Sequence, residues 1–132
     1  METANHEYYV SLEVAKLLKK AGFDWKVRYM YRNNNPTLCI CTESPYRNVP
    51  KLNKCPMYWQ YAAPTLEIAQ KWLREEKNYE IFVVVKFLAD KEYIARVETN
   101  ISGYSTDIYK FYEEAQEAGI KKALELILEK GE

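Results

Sequence analysis

One short phrase occurs twice in this chain, and its spacing constrains the fold more than any other feature. Ser11-Leu12-Glu13-Val14-Ala15-Lys16 returns 54 residues later as Thr65-Leu66-Glu67-Ile68-Ala69-Gln70. Each copy places a hydroxyl side chain able to cap a helix before a leucine, an acid for the first turn, and further apolar residues. Each then opens an amphipathic stretch that is followed by strand-like alternation. The plan implied is α+β, in the order helix-hairpin-helix-hairpin-helix. It predicts an antiparallel sheet with three helices packed mainly on one face.

The pattern assigns the elements in turn. Val14, Leu17, Leu18 and Ala21 share one helical face, and Gly22 supplies a left-handed exit. Trp25, Val27, Tyr29 and Tyr31 alternate with Lys26, Arg28, Met30 and Arg32, the period of a half-buried strand. Asn33-Asn34-Asn35-Pro36 turns the chain into a second short strand at 38–42. In the second helix Leu66, Ala69, Trp72 and Leu73 share a face, so Trp72 is expected in the core. Tyr79 to Leu88 is apolar on both sides and predicts a central strand. With Ala89-Asp90-Lys91 as a three-residue loop, Val85 faces Ala95 and Val83 faces Val97. Ser102 to Asp107 reads as a polar connection. The third helix runs on from Phe111, with no capping residue directly before Tyr112-Glu113-Glu114.

The 132 residues fit a single α+β domain spanning 1–132, large enough to hold a core without disulfide or metal. A proline-containing connection at about 43–64 interrupts it, with Pro45, Pro50, Pro56 and Pro64. A connection of that length either hides a short element around Met57 to Ala62 or carries a function.

Lysine plus arginine equals aspartate plus glutamate at 19 each, which disfavours a dedicated nucleic-acid or membrane-surface binder. The charges are unevenly spread. Residues 1–60 carry nine basic and five acidic side chains, and residues 61–132 carry ten and fourteen. Such a split is compatible with self-association, although separate solvated faces explain it equally well. Cys39, Cys41 and Cys55 form no disulfide framework, and no leader-like apolar segment opens the chain, so a reduced cytoplasmic setting is expected. With His6 they provide one loose pair of ligands, short of a zinc site.

No catalytic constellation is visible. The chain lacks G-x-S-x-G, H-E-x-x-H and a glycine-rich phosphate loop. Glu113 and Glu117 share a helical face and could act as acid and base, yet an acidic solvated helix accounts for them more simply. No catalytic residue, cofactor or metal is therefore assigned.

The aromatic residues are the remaining anomaly. Periodicity places Tyr8, Tyr29, Tyr79, Tyr93, Phe87 and Trp72 on buried faces. Tyr46, Arg47, Tyr58, Trp59 and Tyr61 differ, because they cluster in the proline-rich connection near Lys51 and Lys54. Three roles fit such a cluster: pinning the connection to the body of the domain, anchoring a protein partner, or stacking nucleic-acid bases. The second face of the sheet, with Lys26, Arg28, Arg32, Lys86 and Arg96, also carries Glu80, Glu92 and Glu98. Cross-strand ion pairing describes it better than a phosphate track.

Ser11-Leu12-Glu13-Val14-Ala15 through Gly22-Phe23-Asp24, Ala63-Pro64-Thr65 with Ala69-Gln70-Lys71-Trp72-Leu73-Arg74-Glu75, and Tyr112-Glu113-Glu114-Ala115 with Ala118-Gly119 and Ala123-Leu124 carry a resemblance. Together they resemble a family of small uncharacterised proteins of phages, prophages and mobile elements in gut bacteria, especially of the Bacteroides type. The chain departs from that pattern at Phe111, where a Ser or Thr cap is expected. The resemblance implies a bacterial cytosolic setting and brings no catalytic residue. The functional expectation is a small non-enzymatic protein-interaction protein, an adaptor or modulator. A nucleic-acid-binding accessory protein is the alternative, and a carboxylate-based enzyme a more distant one.

Overall fold

The first copy of the repeated phrase becomes helix α1, Leu12–Ala21, and both of its ends are finished by the residues the sequence offers. The Ser11 hydroxyl accepts a hydrogen bond from the Val14 N–H at 3.3 Å. At the other end Gly22 adopts φ 97°, and the Gly22 and Phe23 N–H groups bond back to Lys19 and Leu18. The second copy becomes α2, Leu66–Lys77, which ends on Asn78 at φ 61°. Its Leu66, Ala69, Trp72 and Leu73 are all buried, as the helical spacing requires.

The computed structural model describes residues 8–40 and 60–130, with Phe87 described by its backbone alone. The chain divides into two compact units, residues 1–65 and 66–132, so the boundary falls within the second copy of the phrase. Each unit holds a three-stranded antiparallel sheet. The α+β class therefore stands, with two sheets in place of the one expected. Among the described residues no helix is long and apolar enough to cross a membrane.

In the first unit β1, Tyr29–Arg32, lies between β2, Cys39–Ile40, and β3, Gln60–Ala62. The asparagine run turns as expected: Asn33 takes φ 52° and the Asn35 N–H bonds to the Arg32 carbonyl at 3.0 Å. Strand β1 starts later than the alternation from Trp25 suggests, and both of its faces are covered. Met30 is fully buried and Tyr31 nearly so. Tyr31 Oη donates to the Val10 carbonyl at 2.6 Å, and the Val10 N–H bonds to Pro64, so the chain before α1 is tied to the chain after β3. Tyr8, expected on a buried face, is instead half exposed in this lead-in.

In the second unit α2 is followed by β4, Glu80–Phe87; β5, Glu92–Glu98; β6, Gly103–Ser105; and α3, Tyr112–Glu129. The strands form a meander in that order, which makes β5 central and β4 an edge. The central position expected for β4 is thus corrected. The expected hairpin forms, but Val83 pairs with Ala95 and Ile81 with Val97. The loop is one residue longer than expected, with Lys91 at φ 52° and its N–H on the Leu88 carbonyl, and a bulge at Lys86 adds a second step. Up to Val85 the shift is two residues, which keeps Ile81, Val83 and Val85 on their original face despite the change of partners.

Helix α3 lies on the face that bears Ile81 and Ala95, and Gly119 permits the close approach. A Cβ on Gly119 would stand 2.9 Å from both the Ala95 Cβ and the Ile81 Cγ2. Ala115, Ile120, Ala123, Leu124 and Ile127 complete the buried stripe. The helix begins at Tyr112, with Phe111 in the N-cap position and no side-chain cap, as the absence of a capping residue there implies. Gln116 is buried in the same helix; its Nε2 donates to the Gln70 Oε1, and the Gln70 Nε2 donates to the Ile81 carbonyl.

Candidate protein-interaction site

Of the five residues singled out for partner binding, Tyr46, Arg47, Tyr58 and Trp59 lie outside the described residues. Tyr61 is described, and it belongs to a strand. It sits on β3 opposite Tyr31, half-buried, with the ammonium groups of Lys19 and Lys16 at 5.1 and 5.7 Å from its ring centre. Those cations also have other contacts: Lys19 Nζ donates to the Gln60 carbonyl at 2.7 Å, and Lys16 Nζ to Asn34 Oδ1. Tyr61 and its lysines therefore tie α1 to the sheet of the first unit. Among the three roles open to the aromatic cluster, this geometry fits pinning for Tyr61.

Cys39 is a half-buried free thiol on β2, and Cys41 and Cys55 lie outside the described residues. No three of the described His, Cys, Asp and Glu side chains converge as metal ligands. An open cleft of about 290 Å³ runs between the β6 end and α3. Its lining mixes Lys121 and Lys122 with Asp107 and Glu125, and neither Glu113 nor Glu117 reaches it. The Thr106 hydroxyl there already accepts from the Ala95 N–H and donates to the Asp107 carbonyl. Lys122 stands over the Tyr104 ring at 5.5 Å.

The surface that the sequence did not single out is the outer face of the second unit, opposite α3. In β4 alternate side chains Glu80, Phe82 and Val84 point there, and the ladder places Phe82 opposite Arg96 and Val84 opposite Ile94. Phe82 is 48% exposed and Val84 39% exposed, beside a half-buried Ile94. Val85, on the other face of β4, is 45% exposed, and Leu88 at the hairpin tip 76%. Scattered exposed apolar residues are ordinary, but contiguous ones rimmed by charge mark contact surfaces.

The rim is charged in an unusual way. Glu80 and Glu98 are direct cross-strand partners, an arrangement that repels. Each glutamate has an arginine: Arg74 of α2 lies 3.7 Å from Glu80, and Arg96 lies 2.7 Å from Glu98. These two pairs run from the helix to β4 and along β5. Lys26, Arg28 and Arg32, expected on the same face as Lys86 and Arg96, belong to the other unit. One sequence trace of the open face existed: the row Glu80, Phe82, Val84, Lys86 begins and ends with a charge.

Among the described residues β4 has a strand on one side only, and the direction of its backbone groups is equally well defined. The backbone groups of Ala95 and Tyr93 are engaged on the β6 side, with Thr106 and Tyr109. Strand alternation then directs Arg96 and Ile94 toward β4, so Phe82 and Val84 carry the ladder bonds while Ile81, Val83 and Val85 point their backbone groups outward. The hydrogen bond from Gln70 Nε2 to the Ile81 carbonyl, 2.7 Å, agrees with that direction. No protein-family model, curated protein or solved structure matches this chain.

Proposed function

We propose that this protein is a small non-enzymatic interaction protein, an adaptor or modulator of another protein, encoded by a phage or mobile element and acting in the bacterial cytoplasm. The observation that supports this reading is the exposed apolar row of Phe82 and Val84 beside Ile94, on the sheet face opposite α3. The reading includes the helix packing expected from the sequence, with helices gathered mainly on one face and the opposite one left for a partner. An apolar centre with a polar rim is the anatomy of a protein interface.

The test is affinity capture from a bacterial lysate with the wild-type chain and with Phe82→Asp, whose exposed position lets the fold stand. A partner retained by the wild type and lost with Phe82→Asp supports the reading; equal capture by both removes this face from it. The nucleic-acid alternative is checked in parallel by mobility shift with DNA and RNA, where phosphate-driven binding weakens steeply as salt rises.

A further inference from the structure

We propose that the occupant of the β4 edge is a second copy of this chain, paired antiparallel across a two-fold axis at Val83 to make one continuous six-stranded sheet. This deepens the preceding reading and rests on its view of the outer face as a docking surface. The regular part of β4 selects the register. Outward-pointing backbone groups belong to Ile81, Val83 and Val85, and the bulge at Lys86 interrupts the strand immediately afterwards. The middle of that window is Val83. Pairing Val83 with its symmetry mate exchanges two hydrogen bonds there, and Ile81 then pairs with Val85 of the second copy. The Ile81 carbonyl already accepts from Gln70, and its second lone pair remains for the new ladder.

The same register is the one in which the side chains complement each other. Residues opposite one another sum to a constant within that window, so Phe82 of one copy meets Val84 of the other, and Glu80 comes alongside Lys86, the bulge residue where the ladder ends. Symmetry makes each of these contacts occur twice. A second cation is thereby brought to Glu80, which within its own sheet faces Glu98 and already has Arg74 at 3.7 Å. Phe82 and Val84, now exposed, become cross-strand aromatic and β-branched pairs, the combination that stabilises antiparallel ladders. The apolar row then runs without a break from Ile94 through Val84 to Phe82 of the second copy. Edge strands left open are the usual template for such pairing.

The experiment combines mass measurement by light scattering over a dilution series with amide hydrogen exchange. The wild-type chain is expected to move from 15.6 kDa toward twice that mass as concentration rises. Protection at the Val83 and Val85 amides should rise with it, while Phe82 and Val84 stay protected throughout. Lys86→Glu should weaken the dimer by about tenfold because two repulsive pairs replace two attractive ones, and adding Glu80→Lys to it should restore the affinity. A wild-type chain that stays monomeric, with Val83 and Val85 exchanging fast at every concentration, overturns the proposal. So does a dimer indifferent to the charge reversal. A monomer that still captures another protein through Phe82 would sink the self-pairing alone, whereas Phe82→Asp affecting neither capture nor mass would sink the docking surface as well.

Discussion

Strands β1 and β4 occupy the opposite places from those their compositions suggest. Tyr29-Met30-Tyr31-Arg32 reads as a strand with one wet face, yet it is the centre of its sheet and buries both Met30 and Tyr31. Ile81-Phe82-Val83-Val84-Val85 is the most continuous apolar run in the chain, yet it forms an edge with three of its five side chains substantially exposed. Apolar composition reports what a strand can bury, and topology decides what covers it. In the first unit β3 returns to pair with β1; in the second no later strand among the described residues pairs with β4 beyond β5, and only α3 comes back, across its face.

The comparison fails most visibly if the two strands respond alike to truncation. Met30→Ala should cost about 2–5 kcal/mol, the range for a large side chain removed from a packed core, whereas Val84→Ala at an exposed position should stay within about 0.5 kcal/mol. Denaturant titration of the two variants at low protein concentration measures both. A larger loss at Val84 would place β4 in the interior and β1 at the margin.

A second variant sharpens the claim that β4 and β5 have one closely packed face and one open one. Gly119→Ala adds a methyl where Ala95 and Ile81 leave no room. Overpacking of this kind costs about 1–3 kcal/mol, against roughly 1 kcal/mol of helix propensity gained, so a net loss of about 1 kcal/mol is expected in thermal or denaturant melting. Stabilisation would mean that α3 stands farther from the sheet.

The helices extend the contrast between the units, since α1 is capped by Ser11 and α3 starts bare at Phe111. The Phe111 backbone already has the extended conformation of a cap, at φ −119° and ψ 140°, and its ring is 64% exposed. Phe111→Ser should therefore add about 0.5–1 kcal/mol, and Ser11→Ala should remove a similar amount. Chemical denaturation midpoints read both; an unchanged midpoint in Phe111→Ser would show that the start of α3 is satisfied by other means.

Local features of this protein were legible in its residues. Both copies of the phrase open helices, Gly22 and the asparagine turn take the conformations their chemistry favours, and Trp72 is buried with the leucines that share its helical face. The candidate site was less legible. Tyr61 belongs to β3, a short element of the kind allowed around Met57 to Ala62, whereas β6 arises from a segment read as a connection, because three-residue strands are too short to show a period and exist only where a neighbour supplies hydrogen bonds.

What the sequence alone determined is which residues share a face. That assignment follows from the fixed periods of helix and strand, and in the second hairpin it withstood a two-residue change of register. What only the tertiary structure decided is which of those faces is covered. The order of strands, the bulge at Lys86 and the placement of α3 against Ala95 depend on contacts between segments far apart in the chain. Those contacts leave Phe82 and Val84 open because α3 covers the opposite face of the sheet and a strand at an edge has a neighbour on one side only.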